Sequence, residues 1–136
     1  MSNLEVLYRA LDCFADPVRR PRYFDLYAEN VVLHGYAGVE PGLESVKRYY
    51  EAFWAAFPDA RTRAEDVVEQ GDKMAVRFVI EGTHRGPFLN MAPTGRTVSF
   101  EGMTILQFRS GKCIERWSVT NSISLLAQLG VNAVPN

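Results

Sequence analysis

The feature that most constrains the fold is the change of hydrophobic period at Thr62. Before it, apolar residues recur at helical intervals. After it they alternate through four segments, "TRAEDVVEQ", "KMAVRFVIEGTH", "RTVSFEGMTILQFR" and "KCIERWSVT". Gly71-Asp72 and Ser110-Gly111 read as tight hairpin connections, and a longer loop holding Pro87, Pro93 and Gly95 joins the middle pair. Strands joined in this way form an antiparallel meander, whose apolar face must be covered by the rest of the chain.

The residues before Thr62 have the pattern to cover it. Ser2 and Glu5 stand at capping-box spacing, and Leu4, Leu7, Tyr8, Leu11 and Phe14 follow at helical intervals until Asp16-Pro17 ends the run. A second short helix is expected from Pro21, with Tyr23, Phe24 and Tyr27 apolar, and "NVVLHGY" supplies a brief strand around Val31 to His34. After Pro41-Gly42, a wide aromatic helix face runs from Leu43 to Phe57 and stops at Pro58, and such a face needs a concave partner. Ser122 is expected to cap a last helix carrying Leu125, Leu126 and Leu129, with Gly130 just past its end. The predicted fold class is α+β, with helices on one face of a curved sheet of four to five strands. Gly102 in mid-strand suggests a bulge that would shift the inside and outside assignment by one residue beyond it.

At 136 residues, with no internal repeat or linker, residues 1–136 read as one domain. Lys plus Arg number 15 and Asp plus Glu 16, so the net charge of -1 offers no field for nucleic acid or an anionic membrane. No apolar run has transmembrane length and no basic segment precedes an apolar core at the N-terminus, so the expectation is a cytoplasmic protein whose partner is a small molecule or a protein. Cys13 and Cys113 form no CxxC pair and read as reduced, packed side chains. No histidine, cysteine or carboxylate cluster has metal-ligand spacing, and glycine-rich nucleotide loops are lacking, so neither a metal nor a cofactor is expected.

Gly82-Thr83-His84, Pro93-Thr94-Gly95, Gly111-Lys112, Trp117 and Gln128-Leu129-Gly130 occur at a joint spacing that resembles the SnoaL-like polyketide cyclases of the NTF2-like superfamily, over roughly Tyr8 to Gly130. The resemblance implies a cone, a curved antiparallel sheet wrapped around N-terminal helices with an internal, mostly apolar pocket, commonly paired through the sheet as a homodimer. It also implies ring closure by intramolecular aldol condensation without a cofactor. In that chemistry a carboxylate just after the tryptophan is the acid/base, aided by a histidine on the preceding strand. This chain departs from the pattern. Ser118 follows Trp117, the matching position on the preceding strand is about Thr104, and Asn121, where many relatives carry an acid, can only hydrogen-bond. A serine hydroxyl is a poor acid or base without a partner that takes its proton, so the cyclase chemistry does not transfer residue by residue.

Alternation in "KCIERWSVT" puts Cys113, Glu115, Trp117 and Val119 on one face and Ile114, Arg116, Ser118 and Thr120 on the other. If the second face lines a cavity, Arg116 and Ser118 sit where an oxyanion would be held. His34 is expected to share a face with Val32 and Tyr36 and to serve as a base, against the plainer reading of a buried, backbone-bonded imidazole. The candidate catalytic residues are therefore His34, Arg116 and Ser118. The candidate ligand-binding residues are Tyr49, Phe53, Phe57, Arg77, His84, Phe100, Thr104 and Asn121. Against these roles, His84 would orient the loop after its strand, Arg77 and Arg116 would each pair across the sheet with an acid such as Glu81, Glu101 or Glu115, and the helix aromatics would mostly be core.

Two functions from different classes fit. One is a cofactor-independent cyclase or isomerase-type enzyme on a small apolar carbonyl or polyketide-like compound. The other is a non-catalytic binding protein for a small apolar or aromatic ligand. An isomerase or epoxide-opening hydrolase would need Glu81 or Glu101 turned inward.

Overall fold

The computed structural model describes residues 1–131; the last five residues of the expected domain, 132–136, lie outside the described residues. Helix α1 (Asn3–Ala15) opens in the expected capping box, with the Glu5 N–H donating to Ser2 Oγ at 3.1 Å, and ends at Asp16 ahead of Pro17. A 3₁₀ segment, Arg20–Leu26, follows with Pro21 near its start and buries Tyr23, Phe24 and Leu26. Arg20 ties it down, donating from Nε to Phe14 O at 2.8 Å and from Nη2 to Ala60 O at 3.2 Å.

The remaining elements are β1 (Tyr27–His34), α2 (Leu43–Ala56), β2 (Arg61–Gln70), β3 (Lys73–Thr83), β4 (Thr97–Arg109), β5 (Lys112–Thr120) and α3 (Ser122–Gln128). They build one five-stranded sheet in the order β1-β5-β4-β3-β2. Strands β2 to β5 are the expected antiparallel meander, while β1 pairs with β5 in parallel. The departure follows from connectivity. The chain leaves β1 through α2 and re-enters the sheet at its opposite edge, so no hairpin imposes an antiparallel partner on β1.

The alternation of β4 runs unbroken through Gly102, so the expected bulge is not there. Glycine is required for space instead. A Cβ at Gly102 would meet the Phe78 ring at 2.6 Å and Val119 O at 2.7 Å. The irregularity lies further along, between Gln107 and Phe108, where β5 carries Ile114 as an extra residue. It turns Cys113 inward, so Cys113 is buried rather than sharing the outer face of Glu115 and Trp117. Both cysteines are free and buried, as expected.

The helix α3 cap also differs by one residue. Asn121 Oδ1 accepts the Ser124 N–H at 3.1 Å, and Ser122 begins the helix. Among the described residues no helix is long and apolar enough to cross a membrane. The core lies between the helices and the inner sheet face, with Phe14, Leu26, Phe57, Val98, Leu106 and Phe108 among its buried side chains.

Candidate active site

Between α1, α2 and the inner sheet face lies a cavity of about 160 Å³, walled by aromatic residues that include Phe14, Tyr49, Phe53, Phe78 and Phe100. That is the scale on which an apolar cavity takes a single aromatic ring. Its polar end belongs to β5. Regular alternation after the irregularity at Ile114 turns Arg116 and Ser118 inward together, and Thr104 on β4 lies directly opposite Ser118.

These residues form one connected cluster. Arg116 donates from Nε to Thr104 Oγ1 at 2.9 Å and from Nη1 to the hydroxyls of Tyr27, Tyr23 and Tyr50 at 2.6, 3.3 and 3.4 Å. The Tyr36 ring lies under the guanidinium at 5.9 Å. Hydroxyl contacts at 2.7 Å from Thr104 to Ser118 and at 2.9 Å from Ser118 to Tyr36 continue the cluster. Its polarity follows from two fixed ends. The carbonyl of Trp117 can only accept, so Thr104 donates its proton there at 2.9 Å. Arg116 Nε can only donate, so Thr104 accepts from it and from Ser118, and Ser118 in turn accepts from Tyr36.

Arg116 is 9% exposed and has no carboxylate partner among the described residues. Burial works against its charge, but a guanidinium does not lose its proton in a protein, so Arg116 stays charged. Burial pushes the hydroxyls of Tyr23, Tyr27, Tyr36 and Tyr50 up, and that of Tyr49 to about 12, so all five stay neutral. The site is a fixed positive charge surrounded by neutral oxygens in an apolar chamber. It is able to polarise or hold an oxygen carrying negative charge.

The structure brings together some of the candidate residues and separates others. Tyr49, Phe53, Phe100, Thr104, Arg116 and Ser118 converge at or around the cavity. His34 does not join them. It projects from the outer face with its Nε2 2.7 Å from Glu115 Oε2 and its ring stacked on Trp117 at 5.4 Å. Val31 and Leu33 are the inward residues of β1, so alternation turns His34 out, and Gly35, with a φ of +86°, breaks the alternation so that Tyr36 reaches the cavity. Arg77 is likewise on the outer side, paired through Nη2 with Asp66 at 2.6 Å rather than with Glu81 or Glu101. Glu81 is held outside by Arg63 and Arg61. Asn121 is occupied as the α3 cap.

Phe57 and His84 are fully buried side by side, with ring centroids 5.5 Å apart, outside the cavity wall. His84 orients the loop after β3. Its Nδ1 accepts the Thr94 N–H at 3.2 Å, and its backbone pairs with Gly95 and Arg96. Thr83 anchors the same strand end, donating from N and Oγ1 to Asp59 at 2.7 Å each. Partial burial pushes the Asp59 carboxyl up, and the Thr83 donors outweigh it and leave it below its usual value.

The residues missed from sequence are the polar ends of Tyr23, Tyr27, Tyr36 and Tyr50. Their rings fitted an apolar pattern, and the choice of tyrosine over phenylalanine at all four positions was the available signal. Among the described residues no three histidine, cysteine or carboxylate side chains gather as a metal site would require.

Comparison with known proteins agrees with this architecture. A stretch of 54 residues is 39% identical to aklanonic acid methyl ester cyclase AcmA of Streptomyces galilaeus, covering 40% of this chain and 38% of that protein. The fold superposes on IdmH of Streptomyces antibioticus with a TM-score of 0.81 and 28% identity, over 96% of this chain and 100% of the other. TsrD of Streptomyces laurentii shares the fold at a TM-score of 0.84 and 23% identity, over 93% of each chain. The model of the SnoaL-like polyketide cyclase family matches residues 5–129, and the chain belongs to that family.

Proposed function

We propose that the chain is an enzyme of the cyclase or isomerase type, acting without a cofactor on a small, largely apolar carbonyl or polyketide-like compound held in the inner cavity. The observation that carries this reading is the Arg116 guanidinium, buried among hydroxyls with no carboxylate beside it among the described residues. A substrate carbonyl that gains negative charge there meets a donor already in place, in surroundings poor in water, where such a donor is worth about 10²- to 10³-fold in rate. Thr104 and the tyrosines position the guanidinium, and Ser118 positions Tyr36. The name of AcmA, a cyclase of a methyl ester, supports an ester among the compounds to try first.

No imidazole or carboxylate among the described residues lines the cavity, which favours charge stabilisation over proton abstraction by the protein. The same observation favours the second reading, a binding protein without turnover. An assay on a simple polyketide-type ester separates them. Under the first reading, wild-type turnover falls about 10²-fold or more in Arg116→Gln and persists in His34→Ala. Turnover seen only in Ser118→Asp would support the binding protein, and turnover abolished by His34→Ala would return the base to His34.

The outer sheet face carries exposed Val68, Met103, Ile105, Trp117 and Val119. We infer that a second copy of the chain covers it, in keeping with the pairing through the sheet that the family resemblance implies. Light scattering at micromolar concentration should give twice the monomer mass, and a monomer would remove this inference.

A further inference from the structure

We infer that the ligand of the inner cavity is a one-ring aromatic compound bearing an anionic oxygen, a carboxylate or the oxygen of an ionised enol, which pairs with Arg116. The inference rests on the inner cavity being the ligand site, and adds the charge and size of what enters it.

The charge argument starts from how the chain treats its other arginines. Arg19 pairs with Asp16, Arg63 with Glu65 and Glu81, and Arg77 with Asp66, all at exposed positions where a partner matters least. Arg20, the other buried one, spends its donors on two backbone carbonyls and lies over the Trp54 ring. Arg116 is buried to the same degree as Arg20 and is met by neutral hydroxyls only. A guanidinium does not lose its proton in a protein, and a buried charge without a counter-ion is costly. The nearest groups able to become anions are the tyrosines, and burial holds them protonated.

The donor count points the same way. Nε is used by Thr104 and Nη1 by the three tyrosines, while Nη2 makes no hydrogen bond among the described residues. Arg116 is nine-tenths buried yet borders the cavity, so the unused donors and the uncompensated charge belong to the space a ligand would fill. A neutral carbonyl would satisfy the donors but leave the charge. An anionic oxygen satisfies both. The rest of the chamber is mostly apolar, aromatic rings with leucines and Ile80, and holds about 160 Å³, which suits one ring and is too small for a fused polycycle without movement of the walls.

The probes are benzoate, methyl benzoate and toluene, titrated calorimetrically into the full chain at neutral pH. Wild type should bind benzoate at least tenfold more tightly than methyl benzoate, about 1.4 kcal/mol. Arg116→Gln should erase that preference while retaining methyl benzoate. Equal affinity of wild type for the acid and the ester would overturn the anion while leaving the cavity reading intact. Failure of all three probes to bind would overturn both. Sulfate displacing benzoate at equal concentration would assign Arg116 to free inorganic anions and overturn the aromatic ligand. Should Arg116→Gln fail to fold, the acid-to-ester ratio in wild type decides alone, and Arg116→Lys, which keeps the charge, should retain a preference for the acid.

Discussion

On β4 and β5, neighbouring residues carry opposite chemistry to opposite sides. Thr104, Arg116 and Ser118 turn inward and bury polar groups, whereas Ile105, Trp117 and Val119 turn outward and leave apolar surface exposed. An ordinary half-buried sheet does the reverse. Each inversion costs stability unless something compensates, which is what the proposed ligand inside and the proposed second copy outside would do. The comparison also separates two kinds of ionisable group. Outside, His34 and Glu115 and Arg77 and Asp66 are paired with one another. Inside, Arg116 meets neutral hydroxyls and no carboxylate among the described residues.

The largest effect expected of any single change is at Arg116. Arg116→Gln should lower kcat/KM on the first active ester by about 10²-fold or more, because it removes the donor that the inner face is built around. A loss below tenfold would mean that the inner face is not the reacting surface. On the outer face, Ile105→Asp together with Val119→Asp should convert a dimer to monomer in light scattering while leaving benzoate affinity within twofold. A parallel loss of binding would show that the two faces are not independent.

The seam between the faces is sensitive to volume. Gly102→Ala pushes a methyl group against Phe78 and the Val119 carbonyl, and should destabilise the fold by about 1–3 kcal/mol in chemical denaturation. No change in midpoint would mean that the sheet curves less tightly there. Filling the cavity from the helix side with Phe53→Trp should weaken binding of methyl benzoate by about tenfold, roughly 1.4 kcal/mol, since Phe53 is a wall residue. Unchanged affinity would place Phe53 in the core alone.

The smallest effect concerns pH. Folded-state values of Tyr27, Tyr36 and Tyr50 lie above the unfolded ones, so their contribution is intact below about pH 10 and is lost as the pH rises from there toward the folded values. Denaturation followed by tyrosinate absorbance should show stability falling on that alkaline side, with the buried tyrosines ionising as the chain unfolds. Ionisation of those residues in the folded protein near their unfolded value would show the inner face to be open to water.

Much of this was legible beforehand because it depends on local period. The change at Thr62, the Ser2-Glu5 cap, the stop at Pro58 and the hairpin turns are decided by neighbours within a few residues, and they fixed the helices and the meander. Alternation also put Arg116 and Ser118 on one face. Alternation failed where a single residue shifted the count. Ile114 turned Cys113 inward, and Gly35 sent His34 and Tyr36 to opposite sides. A period of two carries no record of such a slip, so one extra or left-handed residue reverses every assignment past it.

By itself, then, the sequence determined the element order, the α+β class and the sharing of one strand face by Arg116 and Ser118. Only the tertiary structure decided that β1 joins in parallel, that Arg77 and His34 face outward, and that Tyr23, Tyr27, Tyr36 and Tyr50 meet around one guanidinium. Those four tyrosines come from the 3₁₀ segment, β1, the turn after it and α2, and they converge on a strand more than sixty residues further along the chain. No local rule spans that distance. The meeting is set by how the curved sheet closes over the helices, and it is made where desolvation leaves each polar group no partner but the others.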